Sequence, residues 1–153
     1  MDAITAAALS VDSPLLRAAG LLLDNSLLFA GVLLLLLIVG EERPGKRRKI
    51  IISVLLSIIA AYAIKAAIAK ERPCAGEEWC PSDYSFPSIH AAAAFALMCP
   101  FLNKKSFPAY LLFALFTCFT RLNLGVHTFV DVAAALPIAL VCYYAVDLGE
   151  RDG

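Results

Sequence analysis

His127 and Asp131 stand four residues apart, a spacing that puts two side chains on one face of a helix. A carboxylate against one ring nitrogen fixes the histidine tautomer and leaves the other nitrogen free to attack phosphorus. It also stabilises the positive charge that develops on the ring. His90 follows Pro87 and Ser88, a good helix-start pair, so the sequence places it in a first helical turn. That end of a helix presents unpaired N–H groups and a positive dipole to an anion, Ser88 adds a hydroxyl donor and Ile89 an amide N–H. A histidine beside a bound phosphate can protonate a departing oxygen and later activate water. Lys65, Arg72 and Arg121 contribute three cations, and arginine forks match the equatorial oxygens of a transferring phosphoryl group. The chemistry read from these residues is phosphoryl transfer: His127 as nucleophile, His90 as general acid and base, Asp131 as orienter, and Lys65, Arg72, Ser88, Ile89 and Arg121 as phosphate binders. Asp131 is the one carboxylate placed for this site and is assigned to His127, so neither a metal nor another cofactor is expected.

Taken singly, each feature also has an ordinary structural role. His127 with Asp131 can be a satisfied buried pair, Lys65 can snorkel to a membrane interface, the arginines can be loop charges, and Ser88 can be a helix cap. The case for chemistry rests on their joint occurrence.

The elements that must hold these residues are apolar. Hydrophobic residues make up 61% of the 153, mean hydropathy is +0.78, and 13 basic and 13 acidic residues leave no net charge for a nucleic-acid partner to read. The length predicts one domain over residues 1–153. Apolar runs predict five membrane spans at about 24–40, 50–69, 88–102, 106–120 and 126–146. The third and fourth are roughly 15 residues, below the usual ~20 for a full crossing. The expected fold class is an all-α membrane protein, a bundle of these spans. Ser13-Pro14 and the leucines that follow predict a capped N-terminal helix at the interface.

Arg43 and Lys46 to Lys49 follow the first span, and Lys104 and Lys105 the third, so the positive-inside rule puts both loops in the cytoplasm. The N-terminus and residues 70–87 and 121–126 then face outward, and the acidic tail 147–153 ends inside. All candidate chemistry falls on the extracytoplasmic side of a multi-pass cell-membrane protein. Charges within spans usually face the bundle interior and serve a function, which fits Lys65, His90, His127 and Asp131.

The segments Lys65–Pro73, Pro87–His90 and Thr120–Asp131 resemble the three signature motifs of the type 2 phosphatidic acid phosphatase family. Those motifs are Lys-x6-Arg-Pro, Pro-Ser-Gly-His and Ser-Arg-x5-His-x3-Asp, and their order and internal spacing match. Two positions depart, Ile89 for glycine and Thr120 for serine. Threonine keeps the hydroxyl. Isoleucine implies either a narrower pocket near residue 89 or a backbone that never needed the glycine conformation. The resemblance covers about half of the chain and implies a helical bundle whose substrate is a membrane lipid phosphate or polyprenyl diphosphate, hydrolysed without metal through a phosphohistidine. A glycerolipid phosphate is the alternative within the class. Proton-coupled carriers also place Lys, His and Asp in the membrane, but no internal repeat is visible; a catalytically dead scaffold is the other rival. Cys74 and Cys80, in the polar loop, are either a disulfide over the site or two free thiols, whereas Cys99, Cys118 and Cys142 lie in apolar runs as packing residues. The oligomeric state leaves no mark on the sequence.

Overall fold

In the computed structural model, which describes residues 1–149, the elements are helices α1 (Ala3–Leu9), α2 (Pro14–Asp24), α3 (Ser26–Gly40), α4 (Pro44–Ile68), α5 (Ile89–Met98), α6 (Phe107–Asn123), α7 (Phe129–Ala133) and α8 (Ala135–Gly149). A 3-10 turn, Cys99–Phe101, continues α5. Residues 150–153, the end of the acidic tail expected inside, lie outside the described residues. Each expected span falls on a helix. Among the described residues, α4 and the α7–α8 pair are long and apolar enough to cross a membrane by themselves, and the bent α1–α2 pair would be a third if it is one span; α3 and the α5 segment are apolar but shorter.

The N-terminus holds two helices where one was expected. Asp2 caps α1 by accepting from the Thr5 N–H at 2.8 Å. Ser13 and Pro14 start α2 as anticipated, and the two helices meet at 110°. Both pack on α6. Asn123 Nδ2 donates to the carbonyls of Ala8 and Val11, both at 2.9 Å, and the Phe129 N–H donates to Thr5 Oγ1 at 2.8 Å.

Helix α5 is the centre of the bundle, with α4, α6 and α8 around it. Ala91, Ala92, Ala93, Ala94 and Ala96 are all buried, so the helix is enclosed on every side. Small side chains let the surrounding helices approach closely. On α4 the buried positions Ser53, Ser57, Ala61 and Lys65 recur every four residues and form one stripe. The two serines are satisfied within the helix, by the carbonyls of Lys49 at 3.0 Å and Ser53 at 2.8 Å. Lys65, on the same stripe, is therefore turned into the bundle. Leu34, Leu35, Ile52, Ile59, Leu112 and Val141 point outward and are exposed, the pattern of a lipid-facing belt.

At the end opposite the candidate site, buried Glu41 accepts from Arg43 Nε at 2.9 Å and Lys104 Nζ at 2.8 Å. Those two hydrogen bonds and the nearby ammonium hold its carboxyl well below the usual carboxylate range, against the opposing effect of burial. Arg47 Nε donates to the Glu41 carbonyl, and Lys49 pairs with Asp147 at 2.9 Å. Residues 44–49, expected as a loop, are the opening turns of α4, and several of their basic side chains reach other helix ends. Beside them, Tyr110 stacks on Phe101 with ring centroids 3.7 Å apart and donates to the Leu36 carbonyl at 2.7 Å.

This contact requires glycine at 40, because a Cβ there would lie 1.6 Å from Tyr110 Oη and 2.7 Å from Cζ. Gly40→Ala is expected to push Tyr110 off Phe101 and cost about 1–3 kcal/mol of stability. Tyr110→Phe loses only one hydrogen bond, about 1 kcal/mol. Melting temperatures in detergent check the order; a smaller loss for Gly40→Ala than for Tyr110→Phe would refute it.

Candidate active site

Helix α4 stops at Ala69, whose φ of 50° reverses the chain just past Lys65. The loop that follows is stapled by the disulfide Cys74–Cys80, which settles the thiol question for this pair. It carries Arg72 and Asp83 to the end of the bundle. Gly125, at φ 72°, makes a second reversal that only glycine adopts without strain, and this brings His127 back from the end of α6. Ser88 starts α5 and places His90 in its first turn.

These devices converge on one cleft of 430 Å³, lined among others by Lys65, Arg72, Asp83, Ile89, His90 and His127, with Asp24 at its edge. A larger cavity of 740 Å³ lies between the N-terminal helices and the disulfide loop, but it holds neither histidine. Five of the eight residues singled out in the sequence therefore line one cleft. Asp131, Ser88 and Arg121 stand behind it.

Lys65 Nζ donates to Asp83 Oδ2 at 2.6 Å. Arg72 donates from Nη2 to Asp83 Oδ1 at 2.5 Å and from Nε to the Asp83 carbonyl at 2.9 Å. Burial works against ionisation of Asp83, but the hydrogen bonds from Lys65 and Arg72 outweigh it and hold the carboxyl below its usual range. The third nitrogen, Arg72 Nη1, donates to the Val126 carbonyl at 2.9 Å and lies 3.3 Å from His127 Nε2. A guanidinium cannot accept, so that contact is a hydrogen bond only when Nε2 carries its lone pair and the proton sits on Nδ1. In this tautomer the lone pair is on Nε2, the nitrogen that faces Arg72.

The route to that tautomer differs from the expected one. His127 is not on a helix face with Asp131; it precedes the N-cap, Thr128, of α7. At that position the four-residue helical rule does not apply, and Nδ1 lies 3.8 Å from Asp131 Oδ2, beyond hydrogen-bond range, buried and without a partner. Asp131 instead closes a capping box: its Oδ2 accepts the Thr128 N–H at 2.7 Å, and its Oδ1 accepts Lys70 Nζ at 2.6 Å. Lys70 also reaches Thr128 Oγ1 at 2.8 Å. Asp131 is thus a charge behind the ring that is shared with a lysine.

Two further expectations change. Ser88 is fully buried, and its Oγ faces the Ala91 N–H at 3.4 Å as a cap rather than lining the cleft. Arg121, also buried, donates to Asp24 Oδ1 at 2.5 Å and to the Gly20 carbonyl at 2.7 Å, so it holds α2 against α6. Its Nε has no partner. Ile89 is the first residue of α5 and does not share the positive φ of Ala69, so this backbone never needed glycine. Its side chain nonetheless forms part of the cleft wall.

Asp83, Lys70 and Asp24 were missed in the sequence. Asp24 opens an apolar span, and a charge there is a signal in itself. Lys70 lies inside the first quoted segment, between Lys65 and Arg72. Asp83 lies in a polar loop with other acids, and nothing local distinguishes it from them.

The sequence profile of the PAP2 superfamily matches residues 46–148. No curated protein matches the chain. Among solved structures the fold is similar to LpxE of Aquifex aeolicus, at TM-score 0.75 and 21% identity over 94% of this chain and 92% of that one. It is also similar to the first transmembrane PAP2 type phosphatidylglycerolphosphate phosphatase from Bacillus subtilis, at TM-score 0.73 and 20% identity over 98% and 84% of the two chains. At these identities the likeness shows the fold.

The shared position of Asp131 generates a signed expectation for whatever reaction uses unprotonated His127. Asp131→Asn keeps the cap but removes a negative charge behind the ring; imidazole then holds its proton less tightly, and the acid limb of the rate profile moves to lower pH. Its rate falls, because less negative charge then stands behind the imidazolium. Lys70→Met removes a positive charge from the same carboxylate, and the acid limb moves to higher pH. The kcat/KM profiles of both variants check this; shifts in the same direction would exclude Asp131 as the link between Lys70 and His127.

Proposed function

Because the chain belongs to the PAP2 superfamily, we propose that it hydrolyses the terminal phosphate of a membrane lipid, a phosphate monoester or a polyprenyl diphosphate, through a phosphohistidine on His127. The observation that carries this reading is the Arg72–His127 contact, which favours a lone pair on Nε2 inside the cleft that also holds Lys65 and His90. Lys65 and Arg72 take the equatorial oxygens. Nε2 attacks phosphorus, an N–P bond forms as the P–O bond to the lipid breaks, and His90 gives its proton to the departing oxygen. Asp131 stabilises the imidazolium that results. In the second step His90 takes a proton from water, which attacks the phosphohistidine and restores Nε2 with release of inorganic phosphate.

The reading that the substrate is a lipid has its own support in the cleft walls. Phe29, Ala30 and Leu33 of α3 face Ile58 and Tyr62 of α4 along the cleft, a path by which an apolar tail stays in the bilayer while its phosphate reaches the histidines. The proposed metal independence is supported by the partners of the nearby carboxylates: Asp83 pairs with Lys65 and Arg72, Asp131 with Lys70 and the α7 cap, and Asp24 with Arg121. No group of three or more His, Cys, Asp or Glu residues converges as a metal site among the described residues.

Phosphate release from purified lipid phosphates is expected to persist in excess chelator, and an activated, labelled phosphate ester is expected to leave base-stable, acid-labile label on His127. Label on another residue, or turnover that needs added magnesium, would overturn the mechanism. The site is proposed to face outward. Accordingly an impermeant thiol reagent added outside intact cells should label Asp12→Cys and spare Lys105→Cys, each made with Cys99, Cys118 and Cys142 left buried as they are; the reverse pattern would turn the site to the cytoplasm.

A further inference from the structure

Lys65 and Arg72 are the two cations that open onto the cleft, and an internal anion already sits on both of them. Asp83 bridges Lys65 Nζ at 2.6 Å and Arg72 Nη2 at 2.5 Å, one carboxylate oxygen to each. This is the geometry by which two oxygens of one phosphate would be held. The burial of the partners is unequal. The side chains of Lys65 and Arg72 are 4% and 7% exposed, whereas that of Asp83 is 45% exposed. The cations are fixed in the protein, and the carboxylate reaches them from the solvent side on a loop outside the helices. The carboxylate is the exposed member, so it is the one that water can take up when another anion displaces it.

We infer that Asp83 is a built-in competitor for the phosphate group: every phosphate that enters displaces it from Lys65 and Arg72, and it returns to them as phosphate leaves. The inference rests on the functional reading above only in assigning the phosphate to those two cations. Its consequence is a raised threshold for anions of every kind. A tethered carboxylate competes at a high effective concentration whatever the concentration of free ligand. The head groups that fill a bilayer are chiefly diesters carrying one negative charge. Exchange of Asp83 for such a group replaces one negative charge by another, and the ligand must also be immobilised. A terminal phosphate brings a second charge, which Asp83 leaves unmatched on the Lys65–Arg72 pair. The competitor therefore keeps abundant diesters at low occupancy, while a terminal phosphate still binds.

The alternative role for Asp83 is to organise the two cations for the ligand, and the sign of one measurement separates the two. Binding of inorganic phosphate and of dimethyl phosphate to the purified full-length protein in detergent is measured by calorimetry, with Asp83→Asn and Asp83→Glu alongside. A competitor predicts that Asp83→Asn tightens both ligands in parallel, by about tenfold or more, and that Asp83→Glu, which keeps the charge, stays near the parent. Unchanged or weaker binding by Asp83→Asn would overturn the inference. Should that variant not fold, the parent protein answers alone. Saturating phosphate must then increase amidation of Asp83 by a water-soluble carbodiimide and an amine, read by peptide mass spectrometry, and an unchanged or lower yield refutes displacement. Because these measurements need no turnover, they fail separately from the hydrolase reading. Tighter binding without phosphate release from any lipid refutes hydrolysis alone, and release with unimproved binding refutes the competitor alone.

Discussion

Lys65, Arg121 and Asp131 carry charge into a bundle whose centre is a run of alanines, and the cost of burying those charges organises the site end of the molecule. An ion buried without a partner is strongly destabilising, so each must be met. In every case the partner comes from the rim and is itself partly exposed: Asp83 for Lys65, Asp24 for Arg121, Lys70 for Asp131. Each pair also joins two elements that sequence keeps apart. Asp83 ties the disulfide loop to α4, Asp24 ties α2 to α6, and Lys70 ties the end of α4 to the start of α7. The ion pairs that make the charges tolerable are thus also the ties that close the site end of the bundle.

The same arrangement sets what the charges can do. Arg72 has Nε and Nη2 on Asp83 and Nη1 between the Val126 carbonyl and His127 Nε2, so one planar group reads the loop and the histidine together. A shift of the loop therefore reaches His127 without any change in α7. Asp131 caps α7 with one oxygen and holds Lys70 with the other, so the helix start, the lysine and the field behind the imidazole are coupled through a single carboxylate. Interactions shared in this way are not expected to contribute additively.

The opposite end follows the same physics with the signs exchanged. Glu41 is the buried ion there, and Arg43 and Lys104 meet it, while Arg47 occupies its carbonyl and that of Ile38. Gly40 lets the chain pass against Tyr110 at that point. Basic residues that read in the sequence as solvated loop charge are in part structural, closing α3, α4 and α6 at one end as the ion pairs of the site close the other.

What the sequence determined by itself was everything set by local rules. Long apolar runs must be helices in lipid, Ser13-Pro14 and Ser88 must cap, and the joint spacing of Lys65, Arg72, His90, Arg121, His127 and Asp131 pointed to phosphoryl chemistry at one end of a bundle. What only the tertiary structure decided was which charge meets which. The distance between a loop carboxylate and a lysine 18 positions earlier depends on where α4 stops and how the loop folds back, and no local pattern encodes it. That is why the partnerships of Asp83, Lys70 and Asp24 were not legible, and why nothing in the sequence tied Arg121 to α2. The four-residue rule failed at His127 for the same reason. It presumes a continuous helix, and α7 begins at Phe129, two residues past His127.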